Sequence, residues 1–332
     1  MKKNICLLSI FTCIIFANCK KEFGINENID GNALSQIAYA KKNSNELTIV
    51  NFTNQDIFPE GLAYDPVRNW FYVSSATVGT VGIVTMDGSY TPFISDDILT
   101  GTTGLKVDQA RRRLWVSNAE SGIGAYDLSS GHRLFFTDLT LLLPGEPVFI
   151  NDLALDPQGN AYITNSFSPV IYKVDKNGNA SVFFQNDAFA TGPEEFGFTG
   201  IQYDERGFLL VAFADQIIKI PVRNPSAYSI VQLNVPVYPD GLLLSKDGKQ
   251  LVIVHNTGGT EDDKVYSFLS DDKWISGTLS TSFNTGAVFP TSASSDSKKV
   301  YVLYSYIHKL ISGESHNTYT IQEVPLQKQS PF

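Results

Sequence analysis

Cysteine is nearly missing from this chain. There are three in 332 residues, Cys6, Cys13 and Cys19, all at the extreme N-terminus. The body beyond them has no disulfide, no thiolate nucleophile and no thiolate metal ligand. Histidine is scarce as well: four residues, at 132, 255, 308 and 316, with no HxH or HExxH spacing. That argues against a histidine-rich zinc site. Basic runs are lacking, and 25 Lys+Arg against 34 Asp+Glu give a net charge of −9. Such a balance argues against nucleic acid as a main partner. Arg111-Arg112-Arg113 reads as a solvated turn. No GxSxG nucleophile elbow is present, and Ser129-Ser-Gly-His132 reads as a hairpin remote from any site. Helical periodicity is absent, and no long apolar run follows the N-terminus.

What is present begins with an address. Lys2 and Lys3 precede an apolar stretch from Ile5 to Phe16, followed by Ala17-Asn18-Cys19. The stretch is too short to span a bilayer comfortably. The arrangement resembles a bacterial lipoprotein signal, with Asn18 where a smaller residue is usual. The resemblance implies removal of residues 1–18, lipid attachment at Cys19 and a polar tether over 19–46. It implies a lipid-anchored protein of the bacterial cell envelope, periplasmic or outer-membrane, with the membrane as a partner. The other reading is an ordinary signal peptide in which Cys19 is incidental.

The body repeats a short pattern. It occurs as Glu60-Gly-Leu-Ala-Tyr-Asp65, Thr103-Gly-Leu-Lys-Val-Asp108, Asn151-Asp-Leu-Ala-Leu-Asp156, Thr199-Gly-Ile-Gln-Tyr-Asp204, Asp240-Gly-Leu-Leu-Leu-Ser245 and Thr291-Ser-Ala-Ser-Ser-Asp296. A polar turn follows each copy, then an apolar run rich in β-branched and aromatic residues. Hairpin signals such as Asp87-Gly88 and Asn177-Gly178 come later in the unit. A period of about 46 residues suits a four-stranded blade. The predicted fold is all-β: a six-bladed β-propeller over residues 47–326, with a short tail at 327–332. A β-solenoid fits the period less well, and two sandwiches fit the single unbroken repeat less well. The sixth copy has room for three strands, so the spare segment 47–52 is expected to supply its outer strand and close the ring.

In a propeller the first strand of each blade lines the central channel. The first residues of the six copies, Glu60, Thr103, Asn151, Thr199, Asp240 and Thr291, then form an oxygen-bearing ring at one mouth. Hard oxygen ligands suit Ca²⁺ or Mg²⁺. Carboxylates facing one another across a channel repel unless a cation or proton lies between them. The bland alternative is turn chemistry at strand starts and a water-filled channel.

Glu-Gly in copy one, Asn-Asp in copy three and Pro-Asp-Gly in copy five together resemble the senescence-marker-protein/gluconolactonase superfamily. Regucalcin, diisopropyl-fluorophosphatase and the paraoxonases are its relatives. The resemblance implies a channel divalent ion, usually Ca²⁺, with Mg²⁺ or another divalent ion possible, and hydrolysis of a small lactone or ester. Carried over by position, it implies Glu60, Asn151 and Asp240 as metal ligands. Thr199 stands where the family has a fourth ligand, an asparagine. The resemblance further implies Asp240 as the general base.

Other residues of that mouth are secondary candidates. His255 could shuttle protons, or bond a loop group; His308 carries the same ambiguity. Asn118 and Asn165 could bind substrate hydroxyls, or cap their loops, and Asn256 is a further substrate-binding candidate. Segments 138–150 and 185–198 carry Leu141–Leu143 and Phe189, Phe196 and Phe198, which could wall a pocket or pack onto the blades. Two function classes follow: a monomeric, metal-dependent lactonase-type hydrolase, and a non-catalytic propeller that binds a ligand or a protein.

Overall fold

A computed structural model describes residues 47–193, 195–326 and 331–332. The expected signal peptide, Cys19 and the whole expected tether over 19–46 lie outside the described residues. The segment Thr48–Phe332 forms one unit. It contains six sheets in sequence order, one per repeat copy, whose four blade strands pair antiparallel. Blade one comprises Leu62–Asp65, Trp70–Val73, Thr80–Thr85 and Tyr90–Ser95, and the later blades follow the same order. Blade six takes Pro290–Ser295, Val300–Tyr304 and Thr318–Val324 from the C-terminal end and Ile49–Thr53 from the N-terminal end. Phe52 lies opposite Tyr319 in that last pairing, so the ring closes as the spare strand predicts. Phe52 is buried and its ring packs on both Tyr90 and Tyr319. Closure thus joins the two ends of the propeller through its core as well as through backbone hydrogen bonds.

Two details depart from the expected four-strand plan. Blade five has a fifth strand, Gln232–Leu233, which pairs parallel with Ser276–Asn284. A short helix, Ile307–Ile311, lies between strands two and three of blade six and carries His308. Among the described residues no helix is long and apolar enough to cross a membrane.

The repeat has a physical reason at both of its ends. Its last residue anchors the turn that follows. Asp65 accepts from the Val67 and Arg68 amides, Asp156 from the Asn160 amide, and Asp204 from the Arg206 amide. A carboxylate satisfying amides of a tight turn is the common role of Asp at such positions. The start of the repeat is a β-bulge. Pairing with strand two shifts register between Thr102 and Leu105, Ile150 and Leu153, Phe198 and Ile201, Pro239 and Leu242, and Pro290 and Ala293. A bulge frees backbone groups and re-aims the side chain. Thr103, Asn151, Thr199, Asp240 and Thr291 sit inside these bulges, whereas blade one pairs without a register shift and Glu60 precedes its first strand.

The core is distributed between blades. Trp115 and Ile123 of blade two pack with Leu153 and Ile163 of blade three. Phe208 and Leu210 of blade four pack with Leu242 and Trp274 of blade five. Each sheet therefore buries both faces, as the near-continuous apolar second strands require.

Candidate functional site

The ring alternates. The threonines of blades two, four and six use their hydroxyls to clip the next blade. Thr103 Oγ1 donates to the Ile150 carbonyl at 2.8 Å, Thr199 Oγ1 to the Pro239 carbonyl at 3.1 Å, and Thr291 Oγ1 to the Glu60 carbonyl at 2.8 Å. Glu60, Asn151 and Asp240 belong to the odd blades and have no such duty. Asn151 is only 4% exposed, and its side-chain amide, which keeps contact with solvent, makes no hydrogen bond among the described residues. The Glu60 carboxylate also has no hydrogen bond or ion pair there, although its own amide is held by Ser74 Oγ at 3.1 Å. An amide that no neighbour holds is free to bind water or an ion. The Thr199 hydroxyl proton is committed to blade five, so Thr199 offers a ligand only a lone pair.

The electrostatics of this mouth are unbalanced. Glu60 keeps some exposed surface but lies deep among protein atoms. Burial first, and then the carboxylates of Asp240 and Asp152, push its carboxyl well above the usual range; Lys106 opposes the shift. Burial likewise pushes Asp240 up to about 7, against the hydrogen bond from Asn256 Nδ2 to Asp240 Oδ2 at 2.9 Å. Asp152 and Asp263 add to the rise. Like charges in proximity, only partly offset by Lys106, are the environment that a divalent ion relieves. Among the described residues, no three His, Cys, Asp or Glu side chains form a ready cage. The donor set converging here is instead mixed, with two carboxylates and one amide oxygen, as suits a hard cation that also keeps water.

Asn256 is held in place by its loop. Its Oδ1 accepts from the Gly258 amide at 2.9 Å. Asp263 is fully buried and pins the same loop through the Thr257 amide at 2.7 Å and the Phe289 amide at 3.2 Å. Asn256 is therefore a positioning residue for Asp240. This differs from the substrate-binding role expected for it.

Asn118 and Asn165 take the loop-capping alternative. Asn118 Oδ1 accepts from the Thr100 and Gly101 amides, and its Nδ2 donates to Ser121 Oγ. Asn165 Oδ1 accepts from the Phe149 and Phe167 amides, and its Nδ2 donates to the Pro147 carbonyl and Ser168 Oγ. Both are buried; Asn165 spends its acceptor and both donors on its loop, and Asn118 all but one N–H. His255 is buried between Tyr238 and Tyr266, and its Nδ1 accepts from the Tyr238 amide at 2.9 Å. Burial, and then Lys264, hold its imidazole below the ordinary histidine range and hence neutral. Neighbouring residues of a strand alternate sides, and it is Asn256, not His255, that reaches Asp240. The expected proton-shuttle role for His255 has no hydrogen-bonded route to the ring residues among the described ones. His308 packs near Phe289 and Tyr306 on the blade-six helix.

The long segments divide in the same way. Leu142 and Leu143 pack onto blade three, and Phe189 and Phe198 are core residues of blades three and four. Leu141 is exposed. Phe196 is 46% exposed and clusters with Phe149 and Phe167, with ring centroids 5.1–5.2 Å apart. Phe149 precedes Asn151 by two residues, and Phe196 precedes Thr199 by three. The aromatic trio therefore stands at the mouth where the ring residues begin. Asn165 fixes two of its three backbones through one side-chain oxygen.

Two further residues of the channel carry charge and are not evident from the ring pattern, Asp152 and Lys106. Lys106 Nζ lies 3.3 Å from Asp152 Oδ1. A signal for Asp152 exists: the second repeat position is glycine in four copies, but Asp152 in the third and Ser292 in the sixth. Gly104 shows why. A Cβ there would lie 2.7 Å from the Asp152 Cα and from its Oδ1. Blade two gives up a side chain so that blade three can place a carboxylate.

No family profile matches the chain. An uncharacterized protein of Salmonella typhi, YncE, is 28% identical over 201 residues, 59% of this chain and 53% of that protein. The match thus spans about half the length of that relative. Among solved structures, the allergen Mala s 1 of Malassezia sympodialis superposes with a TM-score of 0.64 at 17% identity, covering 83% of this chain and 95% of that one. A gluconolactonase from Xanthomonas campestris gives 0.59 at 15% identity, covering 84% and 90%. A calcium-binding regucalcin from Agrobacterium tumefaciens gives 0.55 at 14% identity, covering 81% and 92%. The chain is a six-bladed β-propeller, with the architecture of a gluconolactonase and a regucalcin among its structural neighbours.

Proposed function

We propose that this propeller is a divalent-metal-dependent hydrolase of lactone or ester substrates, Ca²⁺ being the best match to its donors. The observation that carries the reading is the Asn151 side-chain amide, without a hydrogen-bond partner among the described residues and open to solvent, set in one ring with two carboxylates that repel each other. Glu60, Asn151 and Asp240 would hold the ion. When bound, it would supply positive charge to stabilise the oxyanion that develops as a carbonyl is attacked. Asp240 serves as the base, taking a proton from the attacking water. Asn256 holds one of its oxygens and the other accepts no hydrogen bond from the described residues. Glu60 accepts no hydrogen bond from the described residues and stays a ligand. The trio Phe149, Phe167 and Phe196 seats the apolar part of the substrate and keeps water from its reacting end. The solved gluconolactonase and regucalcin support the reading by fold.

The experiment is a turnover screen of lactones and aryl esters with EDTA-stripped and Ca²⁺-loaded protein. Ca²⁺-dependent hydrolysis is expected, lowered at least about a hundredfold in Glu60→Gln, since removing one group of a catalytic constellation commonly costs that much. Full activity of Glu60→Gln, or activity indifferent to EDTA, would sink the proposal. Ion binding without any turnover would leave a ligand-binding propeller.

A further inference from the structure

The ring is closed by strand pairing and, beyond it, by a clamp. Past the closing strand, the Asn54 amide donates to the Asn317 carbonyl at 2.9 Å, and the Asp56 amide to the His316 carbonyl at 2.8 Å. In return the His316 amide donates to Asp56 Oδ1 at 2.7 Å, and Ser315 Oγ donates to the same oxygen at 2.8 Å. The Tyr319 hydroxyl donates to the His316 carbonyl at 3.0 Å and accepts from the Phe58 amide at 3.1 Å. Each of these bonds engages His316, a residue beside it, or the Tyr319 hydroxyl bound to its carbonyl. The clamped segment 54–58 leads directly to Glu60.

The His316 side chain is boxed. Its ring lies between Tyr306 and Tyr319, with centroids 4.3 Å and 5.2 Å away. Nε2 is buried without a hydrogen-bond partner. Nδ1 lies 3.3 Å from the Lys309 ammonium on the short blade-six helix. An ammonium only donates, so Nδ1 accepts and the imidazole in this box is neutral. A proton on Nδ1 would set two donors and two cations face to face. The groups around the ring are Tyr306, His308 and Lys309 at the helix, Tyr319 on the last strand and Asp56 on the clamped segment. Glu314 turns to Ser312 Oγ. Burial, and then Lys309, hold the imidazole below the ordinary histidine range, against the pull of Asp56.

We propose that His316 is an acid-released latch on the closure of the propeller ring: neutral, it seats beside Lys309 and holds residues 54–58 on blade six; protonated, it leaves the box and lets that segment go. The latch is independent of the metal and hydrolase readings. The unfolded chain takes up this proton at higher pH than the boxed ring does. The latch therefore contributes fully above the ordinary histidine range and weakens as pH falls through it. Asp56 is held below the usual aspartate value by hydrogen bonds from Gln55, His316 and Ser315, so it keeps its charge at pH 5.

The test is amide hydrogen exchange of the full chain at pH 7.5 and pH 5, corrected for intrinsic rates, in the parent, His316→Gln and Lys309→Met. In the parent, the Asn54, Asp56 and Phe58 amides should lose on the order of tenfold in protection at pH 5. His316→Gln keeps an acceptor opposite Lys309 but cannot titrate, so its acid loss should vanish. Lys309→Met should shrink the loss and let His316 titrate at higher pH by NMR. Glu60 and Asp240 titrate alike in all three chains, so the differences between chains isolate His316. If His316→Gln does not fold, Lys309→Met decides. Equal protection of the parent at both pH values would overturn the proposal. So would an acid loss that persists in His316→Gln, or a His316 titration that Lys309→Met does not move.

Discussion

Asp240→Asn should stabilise the ion-free protein at pH 8, although it removes a hydrogen-bonded polar charge. Asp240 is pushed up to about 7 from the ordinary aspartate value of 3.8, chiefly by burial. A carboxyl with a raised pKa keeps its proton in the folded chain over a range where the unfolded chain has lost it. Stability therefore falls as pH rises from about 4 to about 7, and the loss is complete above that. Each unit is worth about 1.4 kcal/mol, and sharing of charge with Glu60 reduces what one residue carries. The expected gain for Asp240→Asn is on the order of 2 kcal/mol at pH 8 and near zero at pH 4. Asparagine can still accept the hydrogen bond from Asn256, so the loop stays in place. Urea melts in EDTA at the two pH values check this. A loss of stability at pH 8 would mean that the Asp240 charge is already compensated within the chain.

The second large effect is expected at Gly241. A Cβ there would fall well inside contact distance of the Thr291 carbonyl oxygen, and 2.9 Å from the Ser292 Cα. Both are backbone atoms, so no rotamer change relieves the clash. The first strands of blades five and six would have to separate at the channel. That disturbs the bulge carrying Asp240 as well as the inter-blade packing. Gly241→Ala should cost about 3 kcal/mol or more, or yield insoluble protein. Gly197→Ala is the matched control, because its nearest neighbour, the Ser166 carbonyl oxygen, would lie 3.3 Å away. Equal urea midpoints for Gly241→Ala and the parent would contradict the close approach of the blades.

These two residues show how much the sequence reveals. The repeat is visible because most copies perform the same local task at both ends: a glycine where neighbouring first strands meet, in four of six, and an Asp at the turn, in five of six. Blade number, strand order and closure by the segment ahead of Glu60 follow from it. The ring of polar residues is legible for the same reason. Its division into clips and candidate ligands is not, because Thr103, Thr199 and Thr291 reveal their carbonyl partners only once the blades are side by side. The roles of Asn118, Asn165 and His255 depend on side-chain direction in capped loops, which residue type does not encode. Lys106 is hidden because its position in the repeat holds a different side chain in every other blade except for Ala63 and Ala154. Asp152 is the opposite case: it interrupts a column of glycines, and that interruption is readable.

The central claim is that Glu60, Asn151 and Asp240 form one ion site. Calorimetric titration of Ca²⁺ into EDTA-stripped protein tests it most directly, with Asn151→Ala beside the parent. One ion per chain is predicted for the parent, accompanied by proton release near pH 6, since binding displaces the proton that Asp240 holds there. Asn151→Ala should lose at least about tenfold in affinity while remaining folded. No heat of binding in the parent, or equal affinity in Asn151→Ala, would contradict the account.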